Sequence, residues 1–440
     1  MDVDVIVIGA GVAGLAAASE LGRHKLTVLV LEARDRIGGR VWSVAPRGWT
    51  QPVELGAEFV HGGNGALRKL LHRGRIGTYP NAEEMWWRQD GELRRIPDFW
   101  ERIAAVAEKI SVRKQGGSFD EFLRSTGRLL PAEDRWLAEH YAGSFNAAPV
   151  SALSAAVMRE DHGGADNTDF KVAGRYDRVV EELRRQLPED RVTLWLRTEV
   201  TEVRWRRGAV SVVTRGSGAA KVVETHRAQA VVVTLPLGVL KAGSVTFTPG
   251  LGHKQSLLER LGWGQVVRIT FRFRPGIWKL VPAHVRRRKN RFTGFLNAPG
   301  EAFPVWWALT PSAPILTAWA GGEAARDIVG LSLARQVRVA LGSLASILGT
   351  TSKAVRAQLV GWQTHDWHGD PYARGAYSYA VAGSEDGPRQ LAKPLARTLF
   401  FAGEATAKDL GTVHGALESG LFAAREIVAK GAKWKMRFKG

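Results

Sequence analysis

The sequence predicts an α/β protein that begins with a parallel sheet covered by helices and is long enough to need a second domain. Residues Val5 to Ile8 form a short β-branched run that stops at a glycine, as in a strand buried within a parallel sheet. A helix of small residues and a second apolar run, Val28 to Leu31, follow at once. With 440 residues, 45% of them hydrophobic, the chain exceeds the size that one core usually supports, so we expect two domains.

Glycines at fixed spacing join the first strand to the first helix. Gly9 allows the tight turn, Gly11 removes the side chain that would block a pyrophosphate, and Gly14 lets the helix lie close to the strand. The second strand ends at Glu32, where a carboxylate can hold ribose hydroxyls. These features predict a Rossmann-like unit that binds an ADP-containing dinucleotide. The alternative is an ordinary βαβ unit with glycines that serve only packing.

Composition excludes several kinds of chemistry. The chain has no cysteine, which rules out disulfides, thiolate metal sites and a cysteinyl bond to a cofactor, and we expect no metal site. No uncharged run is long enough to span a bilayer, and the first strand segment starts at Val3, which leaves no room for a signal peptide. The sequence therefore predicts a cytoplasmic protein.

The formal net charge of +19 indicates attraction to something anionic, such as nucleic acid, acidic protein, lipid head groups or the phosphates of a cofactor. Basic residues concentrate at 286–291 and in the tail, 430–439, where Trp434 and Phe438 are interleaved. The tail fits either a contact with an anionic partner or a frayed end. A soluble protein with an arginine-rich surface is the simpler interpretation. Nothing in the sequence gives the oligomeric state.

Two further motifs follow the second strand. Residues 34–42 form a glycine-hinged loop in which Arg40 can contact phosphate oxygens, and residues 53–62 place a small-residue turn beside an acid and a histidine. Read as E-A-R-x-R-x-G-G-R and L-G-A-E-F-V-H-G, these motifs resemble the flavin-containing amine oxidase family, which includes monoamine and polyamine oxidases and lysine-specific histone demethylases. The resemblance implies FAD as the cofactor, and an amine and O2 as substrates.

The same resemblance implies a GR2-type FAD-binding domain into which a mixed α+β substrate domain is inserted. We expect FAD-binding parts at 1–65, 174–250 and 366–430, a helical substrate part at 66–173, a strand-rich substrate part at 251–365, and a basic tail at 431–440. Helical periodicity after Phe99 and Glu133 fits the helical part. The tryptophans of this part are expected to pack in a core rather than to contact a ligand; they are Trp86, Trp87, Trp100 and Trp136.

Alternating residues in 262–273 predict a strand that presents Arg268 on the face opposite to Ile269 and Phe271. In the amine oxidases a lysine usually occupies this position and holds, through water, the reactive nitrogen of the flavin. Arginine stays protonated and prefers planar bidentate partners, so the exchange is not conservative and puts efficient reoxidation by oxygen in doubt. Arg268 can also be an ordinary strand arginine paired with an acid.

The C-terminal third resembles the flavin end of the family's site. Tyr377 matches an aromatic residue that faces the substrate amine, and Ala376 stands where monoamine oxidases carry the cysteine bonded to the flavin, so FAD should be bound non-covalently. Glu404, after a buried strand run, is placed to accept a hydrogen bond from a sugar-like hydroxyl. Residues 411–413 are expected to direct free backbone N–H groups toward an electron-rich carbonyl, and Thr412 replaces the second tyrosine of monoamine oxidases.

The motifs together predict three candidate catalytic residues and a longer set of residues that contact FAD. The candidate catalytic residues are Arg268, Tyr377 and His61, the last of which can accept a proton if its pKa is near neutral or can be merely structural. Each of the three also has a structural interpretation. The residues predicted to contact FAD are Gly9, Gly11, Gly14, Glu32, Arg34, Gly39, Arg40, Leu55, Gly56, Ala57, Glu58, Val200, Trp367, Gly403, Glu404, Thr412 and Val413.

The predicted reaction is FAD-dependent oxidation of an amine C–N bond to an imine, with O2 as the acceptor. Two alternatives stay open. One is another flavin enzyme of the same architecture, either a carbon–carbon dehydrogenase or an L-amino acid oxidase in which an arginine grips the carboxylate. The other is a protein that keeps FAD as a structural ligand and binds an acidic partner.

Overall fold

A computed structural model describes residues 1–62, 65–81, 84–110, 117–162, 169–216, 222–286, 291–309 and 313–431. Most of the predicted basic tail and the centre of the 286–291 basic cluster lie outside these residues. Along the described chain, no helix is both long and apolar enough to cross a membrane.

Most strands are short, and the longer ones belong to two sheets that contain mainly antiparallel pairs and are described below. They are β1 (Val5–Ile8), β2 (Val28–Leu31), β3 (Ser43–Val44), β4 (Val53–Glu54), β5 (Phe59–Val60), β6 (Thr78–Pro80), β7 (Met85–Gln89), β8 (Glu92–Arg95), β9 (Phe170–Val172), β10 (Val192–Trp195), β11 (Thr198–Arg206), β12 (Ala209–Gly216), β13 (Val223–Ala228), β14 (Ala230–Val233), β15 (Thr246–Thr248), β16 (Gly262–Trp263), β17 (Val266–Phe273), β18 (Gly294–Asn297), β19 (Val305–Ala308), β20 (Ile315–Gly321), β21 (Leu359–Thr364), β22 (Ser378–Tyr379) and β23 (Leu399–Phe401).

The helices fall between these strands, and several of them cover the parallel sheet described below. They are α1 (Val12–Arg23), α2 (Gly65–Arg73), α3 (Phe99–Glu108), α4 (Phe119–Arg124), α5 (Ala132–Phe145), α6 (Ala155–His162), α7 (Arg178–Arg185), α8 (Leu237–Lys241), α9 (His253–Arg260), α10 (Glu323–Arg326), α11 (Leu333–Ile347), α12 (Ser352–Gln358), α13 (Gly387–Ala392) and α14 (Val413–Gly431).

A parallel sheet with the order β10-β2-β1-β14-β23 forms the centre of the first unit. Val5 and Val7 of β1 face a core shared with α1, α2, α7 and α14, whereas Ile6 and Ile8 face a core shared with β11 and β12. All four side chains are buried, which is why the strand is a continuous apolar run rather than an alternating one. The result is a layer of helices, the parallel sheet, and an outer sheet with the order β13-β12-β11-β15.

The two ends of the chain meet at the crossing of α1 and α14. A Cβ on Gly420 would lie 2.1 Å from the carbonyl oxygen of Ala13, so only glycine permits this approach of the helix backbones. Gly14 plays the packing role predicted for it, because a Cβ there would lie 1.9 Å from the carbonyl oxygen of Gly9. The small residues of both helices therefore bring the C-terminal segment beside the first strand.

A mixed sheet with the order β21-β17-β20-β19-β18-β7-β8 forms the second unit. In β17 the predicted alternation is confirmed: Ile269 and Phe271 lie in a core with α11, and Arg268 lies on the opposite face, toward a cavity. Two features differ from a purely helical segment at 66–173. Helix α2 packs in the core of the parallel sheet, and β7 and β8 belong to the mixed sheet. The domain limits given above stay a prediction.

Candidate active site

A cavity of about 450 Å³ lies where the two units meet. Residues at the carboxyl ends of the parallel strands line one end, including Ile8, Leu31, Thr234 and Gly403. The mixed sheet, α3 and α5 line the other end. The carboxyl edge of a parallel sheet is the usual position for a bound nucleotide, because the turns there open between the layers. All of the residues predicted for the site line this one cavity except Gly14, which serves packing.

The nucleotide end is formed by the first βαβ unit. A Cβ on Gly11 would meet no atom within 4 Å, so the space above this residue is open to the cavity. The carboxylate of Glu32 accepts hydrogen bonds from the backbone N–H of Ala10 at 2.7 Å and of Arg34 at 2.9 Å. Burial raises the pKa of Glu32 from its ordinary value, although these two N–H groups and the nearby arginines oppose the rise. This end fits an adenosine with free ribose hydroxyls.

Arg34 and Asp370 join the nucleotide end to a segment far along the sequence. Two nitrogens of Arg34 donate to the two oxygens of Asp370 at 2.8 and 2.9 Å. His365 lies 2.6 Å from the same carboxylate. Burial would raise the pKa of Asp370, but His365 and Arg34 outweigh it and hold that pKa well below its usual range. Arg34 therefore lines the cavity with its charge already paired.

Glu404 is the centre of a second buried network. One oxygen accepts from Arg40 at 2.9 Å, and the other accepts from the N–H groups of Ser378 at 3.2 Å and Gly411 at 3.0 Å. This corrects one expectation: the N–H of Gly411 is not free, because it donates to Glu404. The N–H groups of Thr412 and Val413, at the start of α14, have no acceptor in the described part of the chain.

Arg268 is paired with an acid and also lines the cavity. Its guanidinium donates to the carbonyl of Gly56 at 2.6 Å and to the carboxylate of Glu58 at 2.5 Å, and it lies over the ring of Trp307. The other oxygen of Glu58 accepts from Lys171 at 2.6 Å. Burial would raise the pKa of Glu58, but Lys171 and Arg268 outweigh it and lower the pKa to about 2. Glu58 is therefore a carboxylate held between two cations.

The substrate end contains the other two candidate catalytic residues. The hydroxyl of Tyr377 donates to the carbonyl of Phe145 at 2.5 Å, and burial raises the pKa of Tyr377. His61 Nδ1 lies 2.8 Å from a carboxylate oxygen of Asp169. Trp367, also predicted for the site, is buried and donates to the carbonyl of Leu55 at 2.8 Å. The three catalytic assignments stay predictions.

One tryptophan of the predicted helical part does not match the expectation of core packing alone. Trp100 packs against the same core as Trp87 and Trp136, and it also lines the cavity.

Sequence reasoning missed the partners of the predicted residues. Lys171 lies 113 positions from Glu58, and Asp169 lies 108 positions from His61. Both flank Phe170, the first residue of β9, and β9 pairs with β5. No local spacing signals such a pairing, because it depends on which strands become neighbours in the fold.

Comparison with known proteins agrees with this architecture. Residues 12–428 match the family described as flavin containing amine oxidoreductase. The chain is 30% identical to Lysine-specific histone demethylase 1 homolog 2 of Oryza sativa subsp. japonica over 96% of its own length and 57% of that protein. It is 27% identical to Polyamine oxidase 2 of Arabidopsis thaliana over 96% of its own length and 87% of that protein. The chain thus spans little more than half of the demethylase homologue.

A structure of putrescine oxidase bound to putrescine shares the fold, with a TM-score of 0.78 and 22% identity over 98% of this chain and 99% of that one. The family match begins at Val12, directly after the glycine-rich turn, and continues into α14, so it includes residues from both ends of the cavity. The chain belongs to the flavin containing amine oxidoreductase family, an enzyme family whose cofactor is FAD.

Proposed function

We propose that this chain oxidises the C–N bond of an amine, with FAD held along the cavity and O2 as the final electron acceptor. The observation that carries the proposal is the joint lining of one cavity by the turn of the first βαβ unit and by the segments around Trp367, Gly403 and Thr412. An NAD-type site would need only the first of these. Relatives named as polyamine oxidases and as putrescine oxidase support an amine as the substrate.

The residues present fit FAD. Open space above Gly11 leaves room for the pyrophosphate, and Glu32 can hold ribose hydroxyls. The first turn of α14 offers the N–H groups of Thr412 and Val413 to an electron-rich oxygen at the positive end of the helix dipole. Because the chain has no cysteine, a thioether to the flavin is excluded, and we propose non-covalent binding.

When bound, FAD supplies the acceptor for the two electrons that leave the amine carbon. The amine loses two electrons and two protons to give an imine, and O2 finally takes up two electrons and two protons to form hydrogen peroxide. Water hydrolyses the imine to an aldehyde and an amine, or to an aldehyde and ammonia when the substrate is a primary amine. Aromatic walls around Tyr377 exclude water and orient the substrate. His61, oriented by Asp169 at 2.8 Å, is the proposed proton acceptor.

Arg268 argues for an amine over an amino acid as the substrate. In an L-amino acid oxidase the gripping arginine must be free to bind a carboxylate, but Arg268 already donates to Glu58 and to the carbonyl of Gly56. The alternative of a flavin-stabilised binding protein has less support, because the cavity continues past the proposed flavin position to His61 and Phe145.

Anaerobic mixing of the purified protein with a panel of amines tests the proposal. The flavin absorbance should bleach, and the rate of bleaching should rise with pH because the neutral amine is the reactive form. A flavin that stays oxidised with every amine, combined with tight and salt-sensitive binding to DNA or an acidic protein, would favour the binding function instead. We also propose an anionic partner for the basic surface, which binding assays can test. We further propose a cytoplasmic location, which cell fractionation can test.

A further inference from the structure

The substrate end of the cavity is lined by aromatic rings from both the mixed sheet and the helices. Phe59, Phe295, Trp307 and Trp319 form a row in which neighbouring ring centres lie 5.8 to 6.3 Å apart. Tyr141 and Phe145, stacked at 5.2 Å on α5, face the same space. We call these six rings the aromatic chamber. Such rings bind apolar and aromatic groups well; their faces attract a cation, but they carry no negative charge that would neutralise a second ammonium.

Each acidic group described at this end is already paired. Glu58 is 8% exposed and lies between Lys171 and Arg268 at 2.6 and 2.5 Å. Asp169 lies 2.8 Å from His61 Nδ1. A second ammonium on the substrate would have to compete with Lys171 and Arg268 for Glu58, or with the hydrogen bond of His61 for Asp169.

The positive groups at this end are paired as well, although the buried Nε of Arg268 has no hydrogen-bond partner in the described part of the chain. Arg268 is 6% exposed and donates to Glu58 and to the carbonyl of Gly56, and Lys171 donates to Glu58. A carboxylate on the substrate would have to compete with Glu58 for both cations. His140, which also lines this space, is neutral above about pH 4 because burial lowers its pKa to about 4.

From these pairings we propose that the substrate is a monoamine whose remaining part is uncharged and apolar, such as an aromatic or branched alkyl group, and not a polyamine or an amino acid. The proposal rests on amine oxidation as proposed above, and it names the class of amine. It differs from the substrates that the names of the similar polyamine and putrescine oxidases suggest.

A matched pair of substrates isolates the effect of a second charge. Hexylamine and 1,6-diaminohexane have the same chain and differ in one terminal ammonium. In anaerobic stopped-flow experiments with the holoprotein, hexylamine and 2-phenylethylamine should bleach the flavin with at least tenfold higher efficiency than the diamine. Visible difference spectra should give a correspondingly larger dissociation constant for the diamine, which means weaker binding.

A negative charge introduced into the aromatic chamber provides a second test of the proposal. Phe145 is 37% exposed, and its contact with Tyr377 is made by the backbone carbonyl, which substitution retains. In Phe145→Glu the preference for hexylamine over the diamine should fall about tenfold. Phe145→Gln, whose side chain has the same shape as Glu but no charge, should keep the preference. Flavin content and melting temperature show that both variants are folded.

The outcomes separate the two proposals. If the diamine, putrescine or spermidine reduces the flavin of the wild-type protein as efficiently as hexylamine does, the monoamine assignment is wrong and amine oxidation stands. If no amine bleaches a fully loaded flavin, amine oxidation itself fails and the monoamine assignment falls with it.

Discussion

Nη2 of Arg268 lies 2.5 Å from Oε2 of Glu58, in an ion pair that is less than a tenth exposed on either side chain. Lys171 holds the other carboxylate oxygen at 2.6 Å. Glu58 and Arg268 are buried and Lys171 is 15% exposed, so removal of the carboxylate would leave a buried guanidinium beside a second cation. Arg268 is thus accompanied by its own buried counter-ion.

Glu58→Gln should destabilise the protein by about 3 kcal/mol, since it leaves the buried Arg268 and the partly buried Lys171 without their negative partner. The free energy of unfolding in urea measures the effect. The control is Glu199→Gln, which removes the exposed pair with Arg215 at 2.8 Å and should cost less than about 1 kcal/mol. Equal losses in the two variants would show that the cluster around Glu58 adds nothing beyond a surface pair.

Gly11 and Gly14 make a matched pair that separates cofactor binding from folding. Gly11→Ala should leave the melting temperature of the apoprotein unchanged, because the added methyl meets no atom within 4 Å, but it should abolish or greatly weaken FAD retention. Gly14→Ala should unfold or strongly destabilise the apoprotein, since its methyl would lie 1.9 Å from the carbonyl oxygen of Gly9. The ratio of flavin to protein absorbance and a thermal melt distinguish the two. Full FAD retention by Gly11→Ala would place the pyrophosphate elsewhere.

The pH dependence of stability should include a contribution from His140. The ordinary pKa of histidine is 6.5, and burial lowers the pKa of His140 to about 4 in the folded protein because it disfavours the charged form. Between these values the unfolded chain binds a proton that the folded chain does not, so stability should fall by up to about 3 kcal/mol as the pH drops from 6.5 to 4. His140→Gln should flatten this part of the curve, and His253→Gln, at an exposed position on α9, should not.

Thr412 caps the helix that the proposed flavin would face. Its hydroxyl accepts from the N–H of Gly415 at 3.0 Å and donates to the carbonyl of Asp409 at 2.8 Å. Thr412→Ala should cost the apoprotein about 1 kcal/mol, and Thr412→Ser should restore most of it. A melt of the two apoproteins tests this, and identical melts would show that the start of α14 is fixed by packing alone.

Local sequence was enough to predict the parts of the site that depend on neighbours along the chain. The turn at Gly9 and Gly11 and the strand end at Glu32 follow from a strand, a helix and a strand in succession, and the alternation of 266–273 placed Arg268 opposite the core. The contacts between distant segments were not predictable in this way. Arg40 meets Glu404 across 364 positions, and this ion pair depends on how the loop of the first unit lies against the last strand.

The hydrogen bond from Gly411 to Glu404 is a second contact that local sequence could not predict, over a shorter separation along the chain. A helix start implies free N–H groups, and Thr412 and Val413 fit that rule. The carboxylate that takes the N–H of Gly411 is seven residues away, and its direction depends on Arg40 and Ser378, which come from two other segments.

Titration of the apoprotein with FAD tests most directly the claim that both ends of the chain form one cofactor site. Fluorescence of the tryptophans, including Trp367 in the cavity wall, reports binding. We predict saturation at one FAD per chain, with the cofactor retained on gel filtration and released intact by acid. A protein that stays colourless and whose tryptophan fluorescence does not change with added FAD would contradict the account.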